Sequence, residues 1–276
     1  MRVILFASAW GPYLKDVDPK KYSLVVATEQ EKRLVEKLKK ETGRPDFVFI
    51  HAHDKWLEGT MSGWRDIGIE PVGILNAADT FDYLGGQVRP ELVCDVAFVG
   101  GYWPYKARNL NNYILPLCHP DSGLNVKVFG NSPWPTEKYL GGIENHDVRD
   151  LFVSATVCPN VSEPHSTDLG WDVIERPFKV LAAGGFCVSD YVPEARDLFT
   201  EEELPMAESP SQMAGMIRHF VECPELRQRF IDAGRRKVLL DHTYFDRVTL
   251  MFDHLGLPTE STRVLKVKGE LLKGLV

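Results

Sequence analysis

The stretch "ERPFKVLAAGGF", residues 175–186, gathers residue types that can hold a phosphate. Pro177 suits the first position of a helix, where the N–H that a proline lacks would have no partner anyway. The amides that follow then point out of the helix start, beside the Arg176 guanidinium. A helix N-terminus with a guanidinium next to it is a ready anion site. Gly184 and Gly185 end the helix and let the chain turn tightly into a strand. A plainer account fits the same residues: Arg176 pairs with Glu175 or another surface acid, and the glycines only cap.

A second glycine-rich turn, "GGYWPYKARN", also stands between a strand and a helix. Lys106 and Arg108 fall in the first helical turn, where the helix dipole disfavours cations unless an anion is also bound. The spacing is neither G-x-G-x-x-G nor the P-loop pattern, which argues against a nicotinamide dinucleotide or an ATPase. His51 and His53 alternate, so both project from one side of a strand, beside Asp54. A packed wall histidine with a solvated one is the plainer reading, and general-base or metal chemistry the functional one. Asp79 follows a strand, where it can act as a base or cap the next helix. Ser8 lacks the G-x-S-x-G context of a hydrolase elbow.

The elements that must position these groups alternate along the whole chain. "RVILFAS", "YSLVVA", "DFVFIHA" and "EPVGILN" read as strands, with a helix from the capping box Thr28–Glu31 and another around Trp56 to Ile67. After "YLGGQVRPEL", which suits a linker, "DVAFVGG", "NVKVFG", "TVCPNV" and "FCVSD" are strands separated by helical patterns. Continuous β-branched runs bracketed by helices predict parallel sheets covered on both faces, in two βα series. Ser209-Pro210 and Pro224 start further helices, and "HTYFDRVTLMFDHLG" forms another. In such sheets ligands bind beyond the carboxyl ends of the strands. That rule selects Ser8 to Gly11, including Trp10, then His51 to Asp54 and Asn76 to Asp79 from the first series. From the second it selects Gly100, Gly101, Gly130, Asn160 to His165 and Asp190. Facing sheets would bring both sets to one crevice.

Bulk properties narrow the class. A net charge of -7 gives no global attraction for nucleic acid or anionic membrane, although a local basic groove stays compatible with it. The five cysteines are widely spaced without a C-x-x-C pair, so neither a zinc knuckle nor a disulfide framework is expected. No segment approaches the roughly 18 apolar residues of a membrane span, and the expected location is the cytoplasm (a host's, for a phage-encoded chain).

The blocks "DVAFVGGYWPYKARNLNNYILPL", "NVKVFG", "CPNVSEPHSTDLGWDVIERPFKVLAAGGFCVSD" and "DHTYFDRVTLMFDHL" stand in characteristic order and spacing. Over roughly residues 93–255 the chain resembles the C-terminal half of spore-maturation-protein-like glycosyltransferases, a branch related to glycosyltransferase group 1. The R-x-F-(E/K)-x-L-A-x-G-G and H-T-Y-x-x-R blocks carry the resemblance in combination.

The resemblance implies an α/β GT-B fold, two facing Rossmann-like domains with an interdomain cleft. Residues 1–90 would form the acceptor-side domain and 91–256 the nucleotide-sugar-binding domain, with 257–276 a tail packing back on the first. The implied reaction moves a sugar from a nucleotide-diphosphate sugar, expected to be a UDP-sugar, to an acceptor hydroxyl, with no metal or other cofactor. Carried over by position, the donor would meet Gly100, Gly101, Lys106, Arg108, Gly130, Asn160, Glu163, His165, Arg176, Lys179, Gly184 and Gly185. The acceptor side would hold Ser8, Trp10, Gly11, His51 and Asn76. Arg176 would stabilise the leaving diphosphate, as basic groups and helix dipoles do in place of a metal. An inverting reaction would need a base, for which Asp79, His53 and His51 are candidates; a retaining one would not. Many group 1 relatives carry a Glu, typically on the nucleotide ribose, where this chain has Lys179. That departure leaves the nucleotide open, and it keeps alive a non-catalytic nucleotide-sugar-binding module. A nucleotide-sugar epimerase on a similar scaffold is the other alternative. Acceptors compatible with the chain are a polysaccharide, a protein, a small molecule or a hydroxymethylated base in phage DNA.

Overall fold

The computed structural model describes residues 4–7, 33, 36, 40, 46–55, 57, 62–66, 68–169 and 172–276. The expected strand 22–27, the capping box Thr28–Glu31, and Ser8, Trp10 and Gly11 lie outside the described residues, while Arg33, Glu36 and Lys40 are helical and exposed.

Three described strands, β1 (Ile4–Ala7), β2 (Phe47–Ile50) and β3 (Pro71–Gly73), pair in parallel in that order. The short helix α1 (Ser62–Arg65) lies between β2 and β3, and α2 (Thr80–Tyr83) follows β3. The segment expected as a linker is not featureless. Tyr83 ends α2, and Pro90–Leu92 forms a 3-10 turn.

The second series contains β4 (Cys94–Val99), α3 (Ala107–Tyr113), α4 (Leu115–Cys118) and β5 (Val126–Phe129). It continues through α5 (Asn145–Ser154), β6 (Ala155–Asn160), α6 (Pro164–Leu169), α7 (Arg176–Ala183) and β7 (Cys187–Asp190). Then come α8 (Pro193–Leu198), β8 (Met206–Ala207), α9 (Pro210–Glu222), α10 (Pro224–Asp241), α11 (Tyr244–His254) and α12 (Pro258–Leu271). The helical stretch that follows Lys106 breaks at Ile114, because Pro116 lacks the N–H that would continue the ladder.

The second sheet is parallel with the order β5-β4-β6-β7-β8. Its strands are buried on both faces, which is why they read as apolar runs without alternation. Cys94, Cys158 and Cys187 face a core built with Leu151 and Phe152 of α5, Phe178 and Leu181 of α7, and Val238 of α10. Val96, Val157 and Val188 face the opposite core, with Leu110 of α3, Leu117 of α4, and Ile217 and Phe220 of α9. Burying the four cysteines Cys94, Cys118, Cys158 and Cys187 pushes each thiol above its ordinary pKa, so they act as small apolar side chains.

The two series are stitched by backbone bonds. Ala78 donates to the His242 carbonyl at 2.8 Å and accepts from the Tyr244 amide at 3.0 Å, at the head of α11. Arg247 of α11 donates to the carbonyls of Leu75 at 3.0 Å and Asn76 at 2.9 Å. Met251, Phe252 and Leu255 then pack on Phe49 and Ile74 of the first sheet's side of the molecule. Helix α12 lies along α11; Lys268 bonds the Asp246 carboxylate at 2.5 Å, and Leu272 enters the first core described above.

Candidate functional site

In the order β5-β4-β6-β7-β8 the connections leave β4 and β6 in opposite directions across the sheet, so the crevice at their carboxyl ends is the topological switch point. A small, open pocket with a cavity volume of ≈ 20 Å³ lies there. Gly100 and Gly101 come to it from the end of β4, and Ser162 and Glu163 from the end of β6. Lys106 and Arg176 complete its polar wall, and Phe98, Leu110, Val161 and Ile174 its apolar one.

Arg176 is the first helical residue of α7 and Pro177 the second, one place later than the sequence suggested. The reason is that Glu175 already has helical dihedrals and serves as the N-cap residue. No side chain caps this end, unlike α9, where Ser209 accepts from the Gln212 amide at 3.2 Å. Helix α11 has a full capping box between Thr243 and Asp246. The Arg176 guanidinium lies 4.2 Å over the Phe98 ring and donates to the Val99 carbonyl at 2.8 Å and to Asn160 Oδ1 at 3.3 Å. Burial lowers its pKa, yet an arginine so held stays protonated at any working pH. Lys106 stands across the pocket, paired with the Glu163 carboxylate. Burial, and then Glu163 itself, pushes the Tyr105 hydroxyl pKa upward.

The chain can approach this closely only because side chains are absent where it crosses. A Cβ on Gly130 would lie 2.2 Å from the Gly100 carbonyl oxygen. That oxygen also accepts from Trp134 Nε1 at 2.8 Å, so Gly130 shapes the pocket floor from behind.

Of the residues picked from sequence, Gly100, Gly101, Lys106, Glu163 and Arg176 line the pocket together. Asn160 stands behind Arg176, with its Nδ2 bonded to Ser189 Oγ at 2.9 Å. His165 lies on α6. Arg108 is not a lining residue; it is exposed, and its Nε donates to Asn109 Oδ1 at 3.2 Å. Lys179 turns the other way, pairing with Glu175 one helical turn back and sitting 5.2 Å over the Tyr83 ring. Gly184 and Gly185 close α7 as expected, Gly184 with φ of 92°. They do not line the pocket; eight residues at about 1.5 Å rise put them roughly 12 Å from the helix start.

The groups from the first series reach the boundary between the two series. His51 Nδ1 lies 3.8 Å from the buried Asp172 carboxylate, which accepts from Ser166 Oγ at 2.5 Å. His53 Nε2 lies 3.9 Å from Asp197 of α8. Next to it, Lys55 joins the buried Glu194 at 2.5 Å, and that bond is the first cause of its raised pKa. Asn76 Nδ2 donates to the Val173 carbonyl at 3.0 Å, in the segment leading to α7. Asp79 caps α2, accepting from the amides of Phe81 at 2.8 Å and Asp82 at 3.3 Å through Oδ1. Among the described residues no group of three or more His, Cys, Asp or Glu side chains converges as a metal site would require. No described helix is long and apolar enough to cross a membrane.

Ser162 and Asp190 stand among the strand-end residues selected from sequence, but the resemblance did not carry them into the donor set. Ser162 lines the pocket, and both oxygens of the buried Asp190 accept from its amide, at 3.0 and 2.9 Å. Burial raises the Asp190 pKa to about 6, against the stabilising bonds from Ser162. An acid at the end of an otherwise apolar buried strand, "FCVSD", was the available signal.

Known proteins share this architecture. Sucrose-phosphate synthase from Thermosynechococcus elongatus superposes with a TM-score of 0.62 at 12% identity, over 94% of this chain and 68% of that one. The DNA modifying enzyme β-glucosyltransferase gives 0.55 at 11%, over 99% of this chain and 81% of that one. Anabaena HepE, solved with UDP and glucose, gives 0.57 at 12%, over 87% and 69%. Comparison with curated proteins by sequence found none that matches. The sequence model described as glycosyl transferase-like matches residues 108–253, more than half of the 276. That stretch includes both the Glu163 loop and the α7 helix start. With that match and the GT-B fold around the cleft, the chain belongs to the glycosyl transferase-like family and is a glycosyltransferase related to group 1.

Proposed function

We propose that the protein transfers a sugar from a UDP-sugar to an acceptor hydroxyl without a metal, with the diphosphate seated between the start of α7 and Lys106. The observation that carries this reading is Arg176: an immobilised guanidinium at an uncapped helix start, on the wall of the switch-point pocket. A diphosphate leaving group gains negative charge as the glycosidic bond breaks, and fixed cations and amides stabilise that charge without reorganising. UDP as the nucleotide is supported by the UDP and UDP-glucose complexes of the structural relatives. The blocks around Arg176 and His242 support the finer assignment to the spore-maturation-protein-like branch.

Asp79 is the base we assign for the acceptor hydroxyl, since capping of α2 occupies Oδ1 and not Oδ2. Among acceptors, a hydroxymethylated DNA base is favoured by likeness to a DNA modifying enzyme over 99% of this chain. A polysaccharide or protein acceptor is the competing reading, and the net charge of -7 supports it.

A thermal-shift panel of UDP, ADP, GDP and their glucose conjugates, with and without EDTA, tests the donor. Ligands that bind the folded state raise its stability with the logarithm of concentration over Kd, so UDP and UDP-glucose should stand apart and EDTA should change nothing. Equal small shifts for all nucleotides would remove the donor reading. A gel shift with hydroxymethylated duplex DNA at low salt, showing no complex, would remove that acceptor.

A further inference from the structure

The Arg176 guanidinium is one end of a buried polar chain whose other end lies beneath the pocket. Its Nη1 donates to Asn160 Oδ1 at 3.3 Å, and Asn160 Nδ2 donates to Ser189 Oγ at 2.9 Å. Ser189 Oγ in turn donates to Asp190 Oδ1 at 3.4 Å. Every hydrogen in this run points toward the carboxylate, so each bond polarises the next in the same sense. Asn160, Ser189 and Asp190 are each 1% exposed, so water does not compete for these bonds. The same carboxylate takes the Ser162 amide and, through Oδ1, the Ser162 hydroxyl at 2.8 Å. One acid therefore holds both the guanidinium, through Asn160 and Ser189, and Ser162 of the pocket wall.

We infer that Asp190 is a positioning residue for the donor site, anchoring the run through Ser189 and Asn160 that aims the Arg176 guanidinium at the diphosphate. The inference rests on the reading of Arg176 as the diphosphate ligand, and adds the device that holds it in place before the ligand arrives. With Nη1 and Nη2 each bonded once, to Asn160 and to the Val99 carbonyl, the guanidinium keeps its other N–H groups for the pocket. An arginine held this way binds without first giving up its rotamer freedom. The charged and titratable groups facing Asp190 are Arg176 from α7, Tyr113 from α3 and Cys187 from its own strand. Of these, Arg176 is its cationic counterpart. Burial raises the Asp190 pKa to about 6, so at neutral pH the group is the ionised acceptor that the chain requires.

Two measurements on the whole chain test this. The first follows the Arg176 side-chain N–H resonance in ligand-free, 15N-labelled protein, identified by its loss in Arg176→Gln. It should be sharp in the wild type and broadened in Asp190→Asn and in the milder Ser189→Ala. An unchanged resonance in both variants overturns the inference, whatever the protein binds. The second measures UDP affinity in a double-mutant cycle. Asp190→Asn should weaken UDP about tenfold in the wild type and by less than about twofold in the Arg176→Gln background, because the acid acts through that side chain. Independent, multiplicative losses overturn it. Should Asp190→Asn fail to fold, Ser189→Ala carries both measurements. Wild-type protein that ignores UDP would defeat the proposed donor but leave the resonance test intact.

Discussion

The Arg176 guanidinium donates to the Val99 backbone carbonyl at 2.8 Å, tying the start of α7 to the carboxyl end of β4. These segments lie 77 residues apart in sequence, yet both form the wall of one pocket. A guanidinium can do this and still face a ligand because its donors lie in a fixed plane.

Arg176→Gln should therefore lower UDP affinity by roughly 10- to 100-fold, since bonds to a charged group are worth about 1.5–3 kcal/mol each. Arg176→Lys should rescue little, because an ammonium cannot reach Val99, Asn160 and a phosphate together. Titration calorimetry with UDP checks both. Equal affinity in the lysine variant would show that charge alone matters and the planar fork does not.

Lys106 and Glu163 form an ion pair across the pocket mouth. In the ligand-free protein the carboxylate thus holds the cation that a diphosphate needs. Lys106→Met should cut UDP affinity about tenfold and flatten its salt dependence. Glu163→Gln should tighten UDP by a few fold, because the competing anion is gone while the shape is kept. Binding measured from low to moderate salt reads both effects, and weaker UDP binding in Glu163→Gln would contradict the competition.

The parallel strands, the strand-end location of the pocket and the glycine turn were legible because backbone geometry writes itself locally into sequence, whereas the order of the strands in the sheet was not. Apolar β-branched runs, Gly100-Gly101 and the Ser209-Pro210 cap each depend only on nearby residues. Lys179 and Arg108 were misplaced for the opposite reason. Whether a basic side chain on α7 faces the cleft or Tyr83 depends on helix rotation against α2, which no local pattern encodes. Helices α6 and α8 are only six residues long, too short for a periodic signal. The chain from Arg176 to Asp190 joins three separate segments, so its members could be named as strand ends but not connected.

Asp79 caps α2 and is also the assigned base, and two substitutions separate these roles. Asparagine is as good a cap as aspartate, so Asp79→Asn should keep stability within about 0.5 kcal/mol, whereas Asp79→Ala should lose about 1 kcal/mol. If the carboxylate takes the acceptor proton, Asp79→Asn should still lower kcat about 100-fold with donor binding unchanged. Chemical denaturation and steady-state rates of UDP release measure the two effects. Full turnover in the asparagine variant would reduce Asp79 to a cap.

Asp190 and His242 oppose one another in the pH dependence of stability. The folded Asp190 pKa is raised by burial from 3.8 to about 6. Between those values the unfolded chain has already lost the proton that the folded protein keeps. This acid therefore makes stability fall as pH rises from about 4 to 6, with no further change above. Burial first, then Arg247 and Lys237, lowers His242 from 6.5 to about 4, with Phe178 and Phe199 packed against its ring. In that window the unfolded histidine binds a proton that the folded one refuses, so stability rises with pH across nearly the same range. Each shift exceeds two pH units, on the order of 3 kcal/mol. The two slopes nearly cancel, and the wild type should be almost flat between pH 4 and 6. Asp190→Asn should expose the histidine, losing on the order of 3 kcal/mol as pH falls from 6.5 to 4. His242→Gln should expose the acid and gain stability over the same descent. Asp241, whose pKa the bond from Lys237 lowers from 3.8, contributes its loss only below this window. Urea unfolding at half-unit pH steps distinguishes the three profiles, and parallel curves for wild type and both variants would rule out the opposition.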